Sequence, residues 1–556
     1  MKRKWWKEAV VYQIYPRSFA DSNGDGIGDL QGIISKLDYI KSIGADVIWL
    51  SPIYKSPNDD CGYDISDYRD IMNEFGNMAD FDDLLAGAHK RSIKLIMDLV
   101  INHTSDEHQW FIESRSSKDN EKRDYYIWRV GKDGKKPPDT ATPFSPSIWE
   151  LDENTKEYYL HLFSKKQVDL NWKNPKVKEE IFDMVKWWMD KGVDGFRMDA
   201  FTKISKNDRF LEGIVSSSEK ESGILNIANQ TGVHDILRQL NQEVLSKYDV
   251  MTVGEVFEKI TVEEAADYIT DQREELNMIF NFELAFLGMS MEEYRKKPWK
   301  VVDYKNTVGK WQLGLQGKGW NSLFLGNHDL PRHISQYGND STYRVESAKM
   351  FAAMLFTLQG TPYIYQGEEI GMTNVKFDSI EDYRDIVSHN LYKRNLQKLN
   401  EKEALKITHG GSRDNARTPM QWNDSINAGF TSGNPWIKVN PNYKEINVET
   451  AEKNSDSILN FYRKLIKLRK ENLVMIYGEY IPILTEHEKI FSYIRRLEGD
   501  SILVILNFSE QNTLFSLPDS IKVKNEKLLI SNYRVNNGKG LEKLDLKPYE
   551  ARVYKI

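Results

Sequence analysis

The chain has 556 residues, more than one small hydrophobic core usually supports, so it holds roughly two to four domains or one large barrel with appendages. It is 40% hydrophobic, 29% charged and 12% aromatic, with a formal net charge of -7 and no basic stripe, which argues against a polyanionic partner such as nucleic acid. A single cysteine, Cys61, excludes an internal disulfide, and the opening "MKRKWWKEAVVYQIY", interrupted by Glu8, is too short an apolar run for a signal peptide or a membrane span; a soluble, cytoplasmic protein is the expectation.

Short β-rich apolar runs alternate with longer amphipathic stretches, the rhythm of βα units around a parallel sheet. The first strand is expected over 9–15. It leads into "DSNGDGIGDL", where oxygen-bearing side chains fall at Asp21, Asn23, Asp25 and Asp29 with a glycine at Gly26, as in a calcium loop. A calcium-sensor loop needs a bidentate Glu at its twelfth position, and the twelfth residue here is Gly32. A plain Asn/Asp/Gly turn without metal is the other reading of this stretch.

Further strands are expected over 46–52, 94–100, 194–199, 250–255, 278–282, 322–329 and 362–369. Polar residues cluster at their C-terminal ends, so the pattern predicts a (β/α)8 barrel of the α/β class whose active site lies on the loops after the strands. Residues 104–172, rich in charge, proline and aromatics, read as a subdomain inserted after the third strand. The barrel then occupies 1–103 and 173–474, with a polar excursion over about 370–455 ahead of the helix-like "SILNFYRKLIKLRK". From 475 to 556, alternating runs such as "IFSYIRR", "ILVILNF" and "EARVYKI" predict an antiparallel β domain.

Four strand ends carry the reactive groups: "DLVINHTS" with Asp98, Asn102 and His103; "DGFRMDA" with Arg197 and Asp199; "VGEV" with Glu255; and "GNHDLPR" with His328 and Asp329. One carboxylate at a strand end is often only a helix cap. Several on one rim repel each other and shift their proton affinities apart, which is poor structure unless a substrate needs them.

The set DLVINH, GFRMD, GE and NHD, in that order, together with "WWKEAVVYQIYPRSF", "GYDISDY", "DNARTPMQW" and "GTPYIYQGEEIGM", resembles the α-amylase superfamily, glycoside hydrolase family 13, and within it the oligo-1,6-glucosidase and exo-α-glucosidase branch. The resemblance implies a catalytic (β/α)8 barrel, an inserted domain after strand three and a C-terminal β-sandwich. It implies that Asp199 is the nucleophile, Glu255 the acid/base and Asp329 a third carboxylate that grips sugar hydroxyls. A retaining mechanism needs the first two about 5–5.5 Å apart. Arg197, two residues before Asp199 on the same strand face, places a cation that keeps the nucleophile ionised, while desolvation keeps Glu255 protonated.

By the same resemblance Asp60, Tyr63, His103, His328 and Arg417 hold or stack on the terminal glucose, and Asp60 with Arg417 closes a blind pocket as an ion pair; Arg413 is the other candidate for that arginine. Tyr63 also reads as a core tyrosine, and the histidines as a metal site, although HxxxH and HExxH spacings are absent. The resembling enzymes carry a structural divalent ion, calcium with magnesium as the alternative, on Asp21, Asn23, Asp25, the Ile27 carbonyl and Asp29. No organic cofactor is implied, and the partner is a short oligosaccharide acted on by a monomer or weak homo-oligomer.

Ala200 follows the nucleophile position. In the resembling enzymes valine there accompanies α-1,6 preference and alanine or threonine α-1,4 preference, so maltose-type substrates are expected, with a methyl-scale bias of only about 1–3 kcal/mol. Departures from the branch at "PPDTATPFSPSIW", Val168, Cys61, "FELAFLGMSMEEY" and the segment 201–234 are expected near the pocket mouth and keep oligo-1,6-glucosidase and sucrose-active α-glucosidase open as alternatives. A sucrose isomerase would carry an RLDRD-type loop, absent from 283–320. A trehalose-6-phosphate hydrolase would gather extra cations for the phosphate. A non-catalytic sugar-binding relative would have lost carboxylates that are intact here.

Overall fold

All eight expected barrel strands form: β1 Val11–Ile14, β2 Val47–Leu50, β3 Lys94–Val100, β4 Gly195–Asp199, β5 Met251–Val256, β6 Met278–Asn281, β7 Ser322–Phe324 and β8 Thr361–Tyr365. The computed structural model describes residues 3–131, 136–137, 139, 142–207, 227–290, 295–523, 525–535 and 540–556. The strands are joined in the order β6-β5-β4-β3-β2-β1-β8-β7, all parallel, and a parallel bridge between Ile279 and Asn321 links the two outer strands and closes the barrel. Both faces of a barrel strand are covered, which is why stretches such as VIWL and KLIMDLV read as unbroken apolar runs.

Inside the barrel, Trp49 stacks on Phe280 at 5.4 Å and Phe280 meets Tyr363 edge-on at 4.7 Å, so the interior is a packed core and not a pore. The outer helices carry the expected caps. Asn77 and Asp80 form a reciprocal capping box on Met78–Lys90, and Asn174 with Pro175 at the first turn starts Pro175–Asp190.

The expected strand 322–329 stops at Phe324. Beyond it the Asn327 side chain accepts the Asp329 N–H at 2.8 Å, an Asx turn that draws the backbone off the sheet and lifts His328 and Asp329 to the rim. Residues 104–172 leave and return as one ribbon, with His103–Ser105 antiparallel to Gln167–Asp169. Between these come the helix Gln109–Ser116 and an antiparallel sheet of Trp128–Arg129, Glu157–Leu160 and Trp149–Asp152. The polar stretch after β8 folds into short helices, among them Ile386–Asn395, Glu401–Gly411 and Asp414–Arg417.

The expected C-terminal runs become a five-stranded antiparallel sheet over Glu479–Ile483, Ile490–Leu497, Asp500–Asn507, Lys527–Ser531 and Ala551–Lys555. A two-stranded sheet of Thr513–Ser516 and Lys543–Leu546 packs with it around Ile494, Leu503, Phe515 and Leu546. Two buried arginines lie at the seam with the barrel: Arg495, on the second strand of the sheet, reaches the barrel helices, and Arg469, on the helix Ile458–Glu471, ties those helices together. Arg469 donates to the carbonyls of Phe356, Leu358 and Met475, and Arg495 to those of Thr357, Met475 and Gly478. Among the described residues no helix is long and apolar enough to cross a membrane.

Candidate active site

Strand register sets the first contacts. Arg197 in β4 pairs with Asp98 in β3, Asp199 follows two residues on along the same face, and Glu255 lies near the end of the adjacent β5. The guanidinium of Arg197 is buried, and its Nη1 lies 2.6 Å from Asp98 Oδ1 and 2.7 Å from Asp199 Oδ1, while Nη2 lies 2.5 Å from Glu255 Oε1. One cation thus serves three carboxyl groups, and they cannot all be ionised at once without heavy repulsion.

Burial pushes Glu255 up to about 7 and Asp98 up to about 7 against the opposing pull of Arg197. Burial also raises Asp199, again opposed by Arg197. Asp329 behaves the other way. Burial alone would raise it, but His328 Nε2 at 3.1 Å from Oδ2, Arg417 Nη2 at 2.8 Å and Arg413 Nη1 at 3.2 Å from Oδ1 hold it well below the usual carboxylate range. The rim therefore combines one firmly ionised carboxylate with a group that keeps its proton near neutrality.

His328 is wedged between the rings of Tyr63, stacked at 5.4 Å, and Tyr15, at 6.0 Å. Gln13 Nε2 approaches its Nδ1 at 2.9 Å; with that nitrogen accepting, the ring proton sits on Nε2, which faces the Tyr63 hydroxyl at 2.6 Å. Tyr63 is both a buried core ring and part of the cavity wall, its hydroxyl also 3.2 Å from Asp98 Oδ2. Burial lowers His103 to about 4, so its ring is neutral, and its Nε2 lies 3.0 Å from the Tyr63 carbonyl.

These groups surround a cavity of about 320 Å³ lined by Asp60, Tyr63, His103, Asp199, Ala200, Glu255, Asp329 and Arg413, with Phe144, Phe163 and Phe257 as an apolar wall. Arg197, His328 and Arg417 stand behind this lining, fully buried. A larger cavity, about 520 Å³, lies beside the inserted region near Trp128 and Trp172 but gathers none of the rim carboxylates.

The expected ion pair between Asp60 and Arg417 is not formed; Arg413 Nη2 takes Asp60 Oδ1 at 3.2 Å. The cause is the short helix Asp414–Arg417. Arg413, at its N-cap, faces the cavity and is anchored by Asp385 Oδ1 at 2.6 Å. Arg417, one turn on, is turned beneath it, with Nε donating to the His328 carbonyl at 3.0 Å and Nη1 reaching Cys61 Sγ at 3.4 Å. The four-residue spacing of the two arginines in "SRDNAR" was the available signal that both approach one site. Asp385 and Gln167, whose Nε2 lies 3.2 Å from Asp60 Oδ2, are supporting residues that no motif marks.

Ala200 lies on the cavity wall with φ 43°, a left-handed backbone that bends the chain sharply after Asp199. Of the departures expected at the mouth, Phe144 lines the cavity and Phe286 packs on Phe257 at 5.0 Å. Val168 does not belong there: it is fully buried, paired with Thr104, because the strand alternation that points Gln167 to the cavity turns Val168 away. Residues 138, 140–141, 208–226 and 291–294 of these departing segments lie outside the described residues.

In the loop after β1, Asn23 N–H donates to Asp21 Oδ1, Asp25 N–H to Asn23 Oδ1 and Ile27 N–H to Asp25 Oδ1, at 3.0, 2.8 and 2.8 Å. These successive Asx turns fold alternate side-chain oxygens back over one compact loop, an arrangement that fits a hard cation with oxygen ligands. Asp29 is first a helix cap, Oδ1 accepting from Gly32 N–H at 2.6 Å and Oδ2 from Ser22 N–H at 2.9 Å. Among the described residues no three His, Cys, Asp or Glu side chains converge as a metal site.

A closed parallel barrel whose strand ends hold a buried pair of carboxyl groups on one guanidinium, beside an ionised third, is that of a glycoside hydrolase. Residues 13–478 match the family described as "Alpha amylase, catalytic domain" and residues 482–553 the one described as "Maltogenic Amylase, C-terminal domain", so the chain belongs to the α-amylase superfamily, glycoside hydrolase family 13. It is 58% identical to an oligo-1,6-glucosidase of Parageobacillus thermoglucosidasius and 54% identical to one of Bacillus cereus, each alignment covering 100% of both chains. The crystal structure of Bacillus licheniformis trehalose-6-phosphate hydrolase superimposes with a TM-score of 0.94 at 46% identity, covering 100% of each chain.

Proposed function

We propose that the protein is a retaining exo-α-glucosidase that removes terminal α-linked glucose from short oligosaccharides. The observation that carries this reading is the single guanidinium of Arg197 holding both Asp199 and Glu255. Ionised Asp199 attacks the anomeric carbon while Glu255 gives its proton to the departing glycosidic oxygen; the Glu255 carboxylate then takes a proton from water, whose oxygen displaces Asp199 from the sugar. Asp329, Asp60, Arg413 and His103 grip the hydroxyls of the terminal glucose, and the contact between Asp60 and Arg413 limits the pocket to one sugar unit.

For linkage, the names of both relatives support α-1,6 bonds, as in isomaltose, over the α-1,4 expectation taken from Ala200. The α-1,4 reading is retained as the second, because Ala200 itself lines the cavity. A divalent cation, calcium first, is assigned to the loop over Asp21, Asn23, Asp25 and Ile27, with Asp29 at its edge; it supplies a structural cross-link and no chemistry. The cytoplasm is the proposed location, in line with a single cysteine.

Initial rates on isomaltose, maltose, sucrose and trehalose 6-phosphate test the substrate. Highest kcat/KM on isomaltose supports the first reading, and preference for maltose transfers the assignment to the second. The Asp199→Asn variant should be folded and inert on every α-glucoside; retained turnover would refute the nucleophile.

A further inference from the structure

We infer that the ion pair between Lys203 and Glu258 binds the leaving sugar, the unit on the far side of the bond that is cut. The inference rests on the α-glucosidase reading above. Lys203 closes the 3-10 turn Phe201–Lys203 that follows Asp199, and Glu258 lies three residues after Glu255, beyond the end of β5. Each is thus carried outward along the rim from one of the two carboxyl groups proposed to act on the bond. Both side chains line the same cavity as Asp199 and Glu255. Asp60, Asp329 and Arg413, which grip the terminal glucose, are bound to one another and not to this pair.

The pair is almost fully buried, with side-chain exposures of 8% for Lys203 and 4% for Glu258, beside the apolar Phe163 and Phe257. Two charges withdrawn from water into such a wall add little stability over a well-packed apolar pair of the same size, so stability alone does not account for them. Their chemistry suits a diol. The ammonium has three donors and gives one to Glu258 Oε1; Glu258 Oε2 accepts from Thr202 Oγ1 at 3.0 Å and keeps a lone pair. A donor and an acceptor held side by side match two neighbouring sugar hydroxyls, each of which both gives and accepts. The ammonium also lowers the proton affinity of Asp199, the sense a nucleophile needs.

The test compares isomaltose and maltose, whose leaving group is a sugar, with p-nitrophenyl α-glucoside, whose leaving group carries no diol. In Lys203→Met and Glu258→Gln, the ratio of disaccharide to aryl-glucoside kcat/KM should fall about tenfold or more, the weight of one hydrogen bond to a charged group, with most of the change in KM. Lys203→Arg should restore part of that ratio. If the variants do not fold, Thr202→Val, which leaves both charges in place, should still lower the ratio about threefold. A ratio unchanged while both rates drop would mean that the pair only braces the two loops, and unchanged rates on both substrates would remove it from the site; either result overturns the inference. A wild-type enzyme inert on every α-glucoside would instead sink the function on which it rests.

Discussion

Arg413 Nη2 and Asp60 Oδ1 meet at 3.2 Å across the cavity wall. Asp385, behind Arg413 at 2.6 Å, and Asp329, at 3.2 Å, complete a buried network in which one arginine contacts three acids, with Arg417 and His328 also on Asp329. Removing one partner of such a network leaves charges uncompensated in a low-dielectric site, at about 3–5 kcal/mol. Arg413→Ala should therefore lower kcat/KM on disaccharides about a hundredfold or more, in steady-state assays beside a thermal melt. An enzyme with normal kinetics after this change would return the role to Arg417.

Glu255 titrates at about 7 and has to carry its proton to serve as the acid. Below that pH the proton is present; above it the acid is lost. The alkaline limb of kcat/KM against pH should accordingly bend near 7 in the free enzyme, and Glu255→Gln should lose both that bend and about 10²–10⁴ of the rate on disaccharides. An alkaline limb that stays flat to pH 9 would exclude Glu255 as the group that titrates.

The left-handed backbone at Ala200, φ 43°, is poorly suited to a β-branched side chain. Ala200→Val should cost about 1–3 kcal/mol of stability, read in denaturant, and narrow the cavity beside Asp199. The ratio of isomaltose to maltose kcat/KM should rise by about tenfold or more. A ratio that does not move would remove position 200 from the choice of linkage.

Calcium at about 100 times its Kd should add about 2.7 kcal/mol if it binds only the folded chain. A rise in Tm on adding calcium, lost in Asp25→Ala, would mark the loop over Asp21–Asp29 as its site. The loop packs on the segment after the short arginine helix: Asp21 N–H donates to the Phe430 carbonyl and Trp436 N–H to that of Gly26, both at 3.0 Å. At Gly26, with φ 95°, an added Cβ would meet the Asn434 carbonyl oxygen at 1.7 Å, so Gly26→Ala should destabilise the same seam with or without the ion.

The barrel was legible because its strands are buried on both faces, so that KLIMDLV and VIWL stand out as apolar runs without any tertiary information. Asp199 and Glu255 stand out because they lie at the ends of such runs, whereas Asp329 lies five residues beyond one, past the Asx turn at Asn327. What the sequence left ambiguous was decided by turns. Arg413 and Arg417 sit four residues apart, and only the folded helix Asp414–Arg417 determines which of them meets Asp60. Val168 looked like a mouth residue until the ribbon register turned it inward. Lys203 and Glu258 are distant in sequence and on loops, where charges ordinarily read as solvated, and nothing local announces that they meet in a buried pair.

The packed rings of Trp49, Phe280 and Tyr363 stop the barrel interior beneath the carboxyl groups. On the exo-glucosidase reading proposed above, a chamber closed at its base sets an order on traffic: the severed outer sugar departs first, water enters through the space it vacates, and glucose, seated deepest, is the last to go. Glucose is then expected to compete for the same seat as the next chain end, so that the end product throttles turnover.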